Sequence, residues 1–446
     1  MTAILIILSG ILCAHAQAPV TATNQSTTLE AAPPPVSPAP EVSDSDPISV
    51  QQRLEKLENT MAQLRVDNTI STHSTATKFT AAMPKQTFTG LGPAASKIYY
   101  QSAATNWGLS SEFLSFSERH GIDSTGAPNV NRLNVTSLSP TLSARLHRRV
   151  LFNSQILFEN GGSEASNTVT LQKGQVVLLM AYADWLSGDR QEMGVRIGHQ
   201  LVPVGWVNTL NEPVTYHGVL KPEMERELIP STWHENGVTL WINRARAEIQ
   251  AGVFNSLNAG GFKGETFLAG GRSHGQTAPA EDLMSVVRIH TKFRHVLFGG
   301  SIIAGQSAQR STSYSHGTFN IAEIHTLLRY SGVELFGQMA QGQLDDAAAI
   351  SVVNSTVVGA KAKGYSLQLA ACLWKGQQQA WGFIRRSDYD LHDQVPDAMV
   401  RDNALHKTTT TVGLSFFPLP NWVVKADYRR PGRRGDCPAR DRLRLF

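Results

Sequence analysis

After its first 13 residues the chain has no apolar run near the roughly 20 residues that a membrane-spanning helix needs. Cysteine is scarce: Cys13, Cys372 and Cys437 in 446 residues do not make a disulfide framework. Neither charge sign dominates. Lys and Arg number 40 against 36 Asp and Glu, and a net charge of +4 is too small and too dispersed for nucleic acid. The patterns of enzymes and metal sites are missing too. His234, His274, His290, His295, His316 and His325 have no H-E-x-x-H or C-x-x-C partners. Ser231-Thr232-Trp233-His234 brings a serine and a histidine together in sequence, but a triad is a spatial arrangement. The glycines of Gly270-Gly271-Arg272-Ser273-His274-Gly275 do not join a strand to a helix, as a phosphate cradle does. The reading is therefore non-enzymatic, with no metal and no cofactor.

What is present is alternation. From about residue 140 to 428, short runs alternate apolar and polar residues between Gly/Asn/Asp/Ser-rich breaks. In Val287-Arg288-Ile289-His290-Thr291-Lys292-Phe293, one strand face carries Val, Ile, Thr and Phe and the other carries Arg, His and Lys. A soluble core rejects the basic face and water does not favour the apolar one. A membrane barrel satisfies both, with lipid outside and a watery lumen inside. The pattern predicts an all-β fold: a transmembrane antiparallel β-barrel of about 16 strands (roughly 16–18). Alternation puts Phe152, Ile156, Ile197, Val287, Ile289, Ile324, Leu328, Val412 and Leu414 toward lipid. It puts Asn153, Gln155, Arg196, Glu248, Arg288, His290, Glu323, Lys425 and Asp427 toward the lumen. Trp185, Trp206, Trp241, Trp374, Trp381, Trp422 and Tyr428 suit interfacial girdles, or else core or loop positions.

Residues 1–16 read as a signal peptide, with an apolar stretch from Ala3 to Cys13 and Ala14-His15-Ala16 as cleavage site. Residues 17–48 are a Pro/Ala-rich linker. Val50, Leu54, Leu57, Met61 and Leu64 form a heptad seam, predicting a short coiled coil over 49–67. A second linker, 68–86, leads to the barrel, 87–430, and an Arg-rich tail, 431–446, follows.

Four stretches carry a resemblance. The longest is Arg196 to Gly237, RIGHQLVPVGWVNTLNEPVTYHGVLKPEMERELIPSTWHENG. The others are Thr89-Gly90-Leu91-Gly92-Pro93-Ala94-Ala95-Ser96-Lys97, Gln343-Leu344-Asp345-Asp346-Ala347-Ala348, and Pro418-Leu419-Pro420-Asn421-Trp422 through Tyr428. They resemble Gram-negative outer-membrane porins, the uncharacterised relatives of the phosphate-selective porin group. The resemblance implies a homotrimeric channel in the outer-membrane bilayer, passing small solutes, with a periplasmic N-terminal region.

A channel needs a width, a charged wall and a narrowing loop. The pore-lining candidates are Arg196, Arg246, Arg288, His290, Lys292, Arg329 and Lys425, with Lys221 and Arg226 on the long loop. They suit anions, but Glu159, Glu248, Glu323 and Asp427 share the same faces, so a non-selective wall stays open. Lys221 to Trp233, with helical spacing through Glu223 to Leu228, is either an inward constriction or an external lid. A second reading is a barrel without an open pore that ties the membrane to the cell wall through residues 49–67. One departure from the resembled group is the C-terminus: Pro431, Pro438 and the arginines after Tyr428 make a poor closing strand, which predicts an unpaired edge.

Overall fold

The computed structural model describes residues 9–10, 88–100, 104–120, 130–159, 174–187, 192–244, 246–376, 378–432 and 440–445. The leader, linkers and coiled coil expected in residues 1–86 lie outside these, apart from 9–10.

Alternation yields the expected sheet. Its strands are β1 (Thr105–His120), β2 (Val130–His147), β3 (Val150–Glu159), β4 (Gln175–Ser187), β5 (Met193–Leu201), β6 (His234–Arg244), β7 (Ala247–Asn255) and β8 (Leu283–Lys292). They continue as β9 (Val296–Gly305), β10 (Phe319–Tyr330), β11 (Val333–Leu344), β12 (Lys361–Lys375), β13 (Gln379–Gln394), β14 (His406–Leu419), β15 (Trp422–Pro431) and the six-residue β16 (Arg440–Leu445). Each pairs antiparallel with its neighbour in sequence. Breaks alternate in length. Short turns occupy one end of the sheet and long loops the other, as the successive strand bounds show. Ser331 and Gly332, both at positive φ, form one of the tight turns, the geometry that matches the twist of a hairpin.

The seam between first and last strands is bridged by β16. It pairs with Ala426–Arg429 of β15 and with Ser115–His120 of β1. The tail that reads as a poor closing strand thus supplies a short one, because a strand in the ladder is held by backbone groups that its arginines do not remove.

The outer face is apolar. Leu142, Ile197, Leu240, Ile302, Ile324, Leu367 and Leu414 are exposed on seven strands spread around the sheet. Trp107, Trp185, Tyr330 and Trp374 are exposed near the short-turn end, in the manner of an interfacial girdle. Trp206, Trp241 and Trp381, also suited to a girdle by composition, are instead buried inside. Among the described residues no helix is long and apolar enough to cross a membrane; a barrel crosses with its strands. Leu367 lies near the middle of β12 and faces outward. Leu367→Arg is expected to cost about 2–4 kcal/mol in lipid vesicles, measured as a lowered urea midpoint. An unchanged midpoint would place that face away from lipid.

The interior differs from the expected watery lumen. Trp233 and Ile229 pack with Phe262, Phe267 and Leu268 of the 256–282 loop and Ile350 of a third loop, against inward residues such as Phe254, Phe319 and Ile321. The reason is chain length at the long-loop end: loops carrying large apolar residues find cover only by folding inward.

Candidate functional site

The segment joining β5 to β6 carries most of the interior. It contains α2 (Val207–Leu210), a turn of 3-10 helix (Pro213–Thr215) and α3 (Glu223–Leu228), the helix that the spacing predicts. Glu225 organises it. One carboxylate oxygen accepts from the backbone N–H groups of Val207 (2.6 Å) and Asn208 (2.9 Å). The other accepts from Trp206 N–H (3.2 Å) and from Gln338 on β11 (2.8 Å). The acid thereby satisfies helix-start donors that nothing else in the segment covers. Asn208 ties the two ends together: its amide donates to Val202 O and Trp233 O, and its carbonyl accepts from Trp233 N–H at 2.6 Å.

The wall holds this segment from several sides. Ser301 of β9 accepts from Gly205 N–H. On β13, Arg385 donates to His217 O (2.5 Å). Lys425 of β15 donates to Pro213 O (2.6 Å) with its ammonium 4.0 Å from the Tyr216 ring, and Asp427 accepts from Val219 N–H (2.7 Å). Glu112 of β1 accepts from the Tyr216 hydroxyl. Glu223 pairs with Arg429. The lid alternative for Lys221 to Trp233 is set aside by these bonds: the segment lies inside the barrel.

A second insertion fills the other half. Residues 88–100 include α1 (Pro93–Tyr100), whose proline occupies the first helical position. Phe88, Leu91, Ala95, Ile98 and Tyr99 pack on Leu151, Met180, Tyr182 and Trp241. Asn153 donates to Ala95 O (2.7 Å) and Gln250 to Thr89 O (2.8 Å). Below them, Asp184 accepts from Arg196, from the Tyr99 hydroxyl (2.6 Å) and from Trp241 Nε1 (2.6 Å). The two insertions meet where Glu212 accepts from Ala94 N–H at 2.7 Å, capping α1 from the long segment.

Between β1–β5 and the long segment remains a cavity of about 710 Å³. Lys221, Arg226 and Arg272 bring positive charge to it, facing Glu112 and Glu159. Lys221 donates to Thr232 (2.7 Å) and Asn211. Burial outweighs the pull of nearby carboxylates and lowers the Lys221 pKa to about 8.

The nine candidates fall into three groups. Lys221 and Arg226 line the cavity. Arg246, in the β6–β7 turn, and Lys292, closing β8, are exposed at the short-turn rim. The remaining five point inward but meet protein, where the sequence reading put them against water. Arg196 pairs with Asp184 (3.1 Å), Arg288 with Glu248 (3.1 Å), and Arg329 with Glu334 (2.8 Å). Lys425 holds Pro213 and His290 lies against His325 and Trp206. The difference arises because the two insertions occupy the space in front of these side chains. Arg288, the most basic position of the clearest strand, is only 1% exposed. Sequence reasoning missed Asp184, Glu212, Glu225 and Arg272. The one available signal was acids such as Glu212 and Glu225 inside a segment otherwise rich in apolar residues. Among the described residues no group of three or more His, Cys, Asp or Glu is arranged to hold a metal ion.

No family model matches the chain. An uncharacterised protein of Aquifex aeolicus (strain VF5) is 27% identical over 357 residues, covering 77% of this chain and 79% of that protein. Solved structures that align with the chain include an anion-selective porin from Comamonas acidovorans, with a TM-score of 0.48 and 9% identity, covering 76% of this chain and 98% of that one. OprB of Pseudomonas putida gives a TM-score of 0.48 at 9% identity, covering 77% and 93%. In-vitro folded OmpT, an outer-membrane protein of Vibrio cholerae, gives 0.48 at 6%, covering 77% and 97%.

Proposed function

We propose that this chain is an outer-membrane porin, a passage for passive diffusion of small hydrophilic solutes. The observation that carries the reading is the pairing of an apolar outer face with an inner cavity of about 710 Å³ lined by charged side chains. Lipid requires the first and a hydrated solute the second. The long segment, pinned across the barrel, narrows the way as a constriction does. In this reading the protein assembles as a homotrimer, its N-terminal region lies in the periplasm, and residues 49–67 form a coiled coil that reaches the cell wall. No catalytic step is required.

An anion preference follows from Lys221, Arg226 and Arg272 at the cavity. Lysine is charged below its pKa, so the Lys221 contribution is present below pH 8 and fades as pH rises through that value. Under a salt gradient, the reversal potential is expected to lose anion preference between about pH 7 and 9. Lys221→Glu with Arg226→Glu should move it to the cation side at pH 7. A potential indifferent to both changes would remove these residues from the solute path.

Planar-bilayer conductance of the refolded protein tests the channel itself, and discrete steps are the expected result. A second reading, a barrel without an open pore that anchors the membrane to the cell wall, is favoured by the burial of Arg196, Arg288 and Lys425 inside the barrel. A folded barrel that never conducts would select it.

A further inference from the structure

We propose that residues 88–100 are a retractable plug, seated in the barrel from the short-turn end and latched by Glu212 of the long segment. This rests on the channel reading. The segment is a U rather than a thread. Phe88 stacks on Tyr99 with ring centroids 3.9 Å apart, so its two ends lie side by side. Phe88 N–H donates to Ser96 Oγ, which donates to Leu91 O, so the segment holds its own shape. Both ends sit near Trp241 and Asp184, which lie close to the β6 and β4 ends at the short-turn rim. Withdrawal therefore needs no chain to pass through the barrel.

The seat is built for release as well as for fit. Besides the apolar packing of its Phe88, Leu91, Ala95, Ile98 and Tyr99, the wall holds it by hydrogen bonds from Asn153, Arg196 and Gln250, which water can replace. Arg288 lies hard against the bend of the U: a Cβ on Gly90 would stand 2.2 Å from Arg288 Nη1, and Gly90 has φ +70. Arg288 Nε and Nη2 and Glu212 Oε2 are buried with no hydrogen-bond partner among the described residues. Unpaired buried groups of this kind tax the seated state, and withdrawal hydrates them. At the tip, Glu212 accepts from Ala94 N–H and so links plug to constriction.

A reversible crosslink tests the motion. An ideal Cβ on Gly108 of β1 stands 3.1 Å from Ala94 Cβ, close to disulfide range. Ala94→Cys with Gly108→Cys, in full-length protein with Cys13, Cys372 and Cys437 changed to Ser, is refolded and recorded in planar bilayers. Oxidation is expected to cut the open fraction about tenfold or more, with recovery on reduction. Independently, Glu212→Ala and Gly90→Val should each raise the open fraction, about tenfold for the lost latch. Folding of every variant is checked by heat-modifiable mobility. Steps that are the same oxidised and reduced, and the same in Glu212→Ala as in the parent, overturn the plug and leave the channel standing. Silence from every folded form, including Gly90→Val, overturns the channel reading itself.

Discussion

Asp184→Ala is expected to cost about 3–5 kcal/mol of barrel stability, the largest effect of any single side chain described above. Asp184 is fully buried and is the acid that pairs with Arg196, which is itself 2% exposed. It also accepts from Tyr99 and Trp241, so one carboxylate ties α1, β4, β5 and β6 together. Removing it leaves a guanidinium uncompensated in a space that water does not reach, and strands two further donors. Replacing both partners, Asp184→Leu with Arg196→Met, should recover most of the loss, since the penalty belongs to the unpaired charge rather than to the missing attraction. Urea unfolding of refolded protein, followed by heat-modifiable mobility, measures both. A single variant as stable as the parent would mean that the interior around Arg196 is open to water.

The second large effect is on the long segment between β5 and β6. Glu225→Ala takes an acceptor from three backbone N–H groups and from Gln338 at once. Each buried donor left without a partner costs about 1–3 kcal/mol, so the segment is expected to lose its fixed path while the barrel wall survives. Protease applied to the folded barrel should then cut between residues 202 and 233, where the parent resists. Glu225→Gln, which keeps one acceptor oxygen, should fall between the two. Equal resistance in all three would mean that apolar packing of Met224, Leu228 and Trp233 alone positions the segment.

Faces were legible and contents were not. In Val287 to Phe293 the two faces differ so strongly in polarity that one register alone is tolerable, and the structure has Ile289 exposed and Arg288 inward. The same logic misses β13. There Trp381 and Phe383 face inward beneath Val214 while Ile384 faces out, so both faces are apolar and the period-2 contrast vanishes. β2 hides behind Pro140 and a run of serines. α1 has eight residues, too few for a helical period to show. The burial of Arg288 was illegible for a different reason. Alternation reports which way a side chain points, whereas what it meets depends on Gly90 and Glu248, distant in sequence.

The short β16 has a consequence for how the ring forms. Every other pair among β1 to β16 joins sequence neighbours, so its closure spans a single turn or loop. The pairing of Ser115–His120 with Arg440–Leu445 joins points about 320 residues apart. Its contact order exceeds that of any other pair among β1 to β16, and its small number of bonds must offset a large loss of chain freedom. Assembly is thus expected to run as a zipper of hairpins that ends at one slow, reversible step, and the two edge strands are where an insertion machine or a second copy would find backbone still open to pairing.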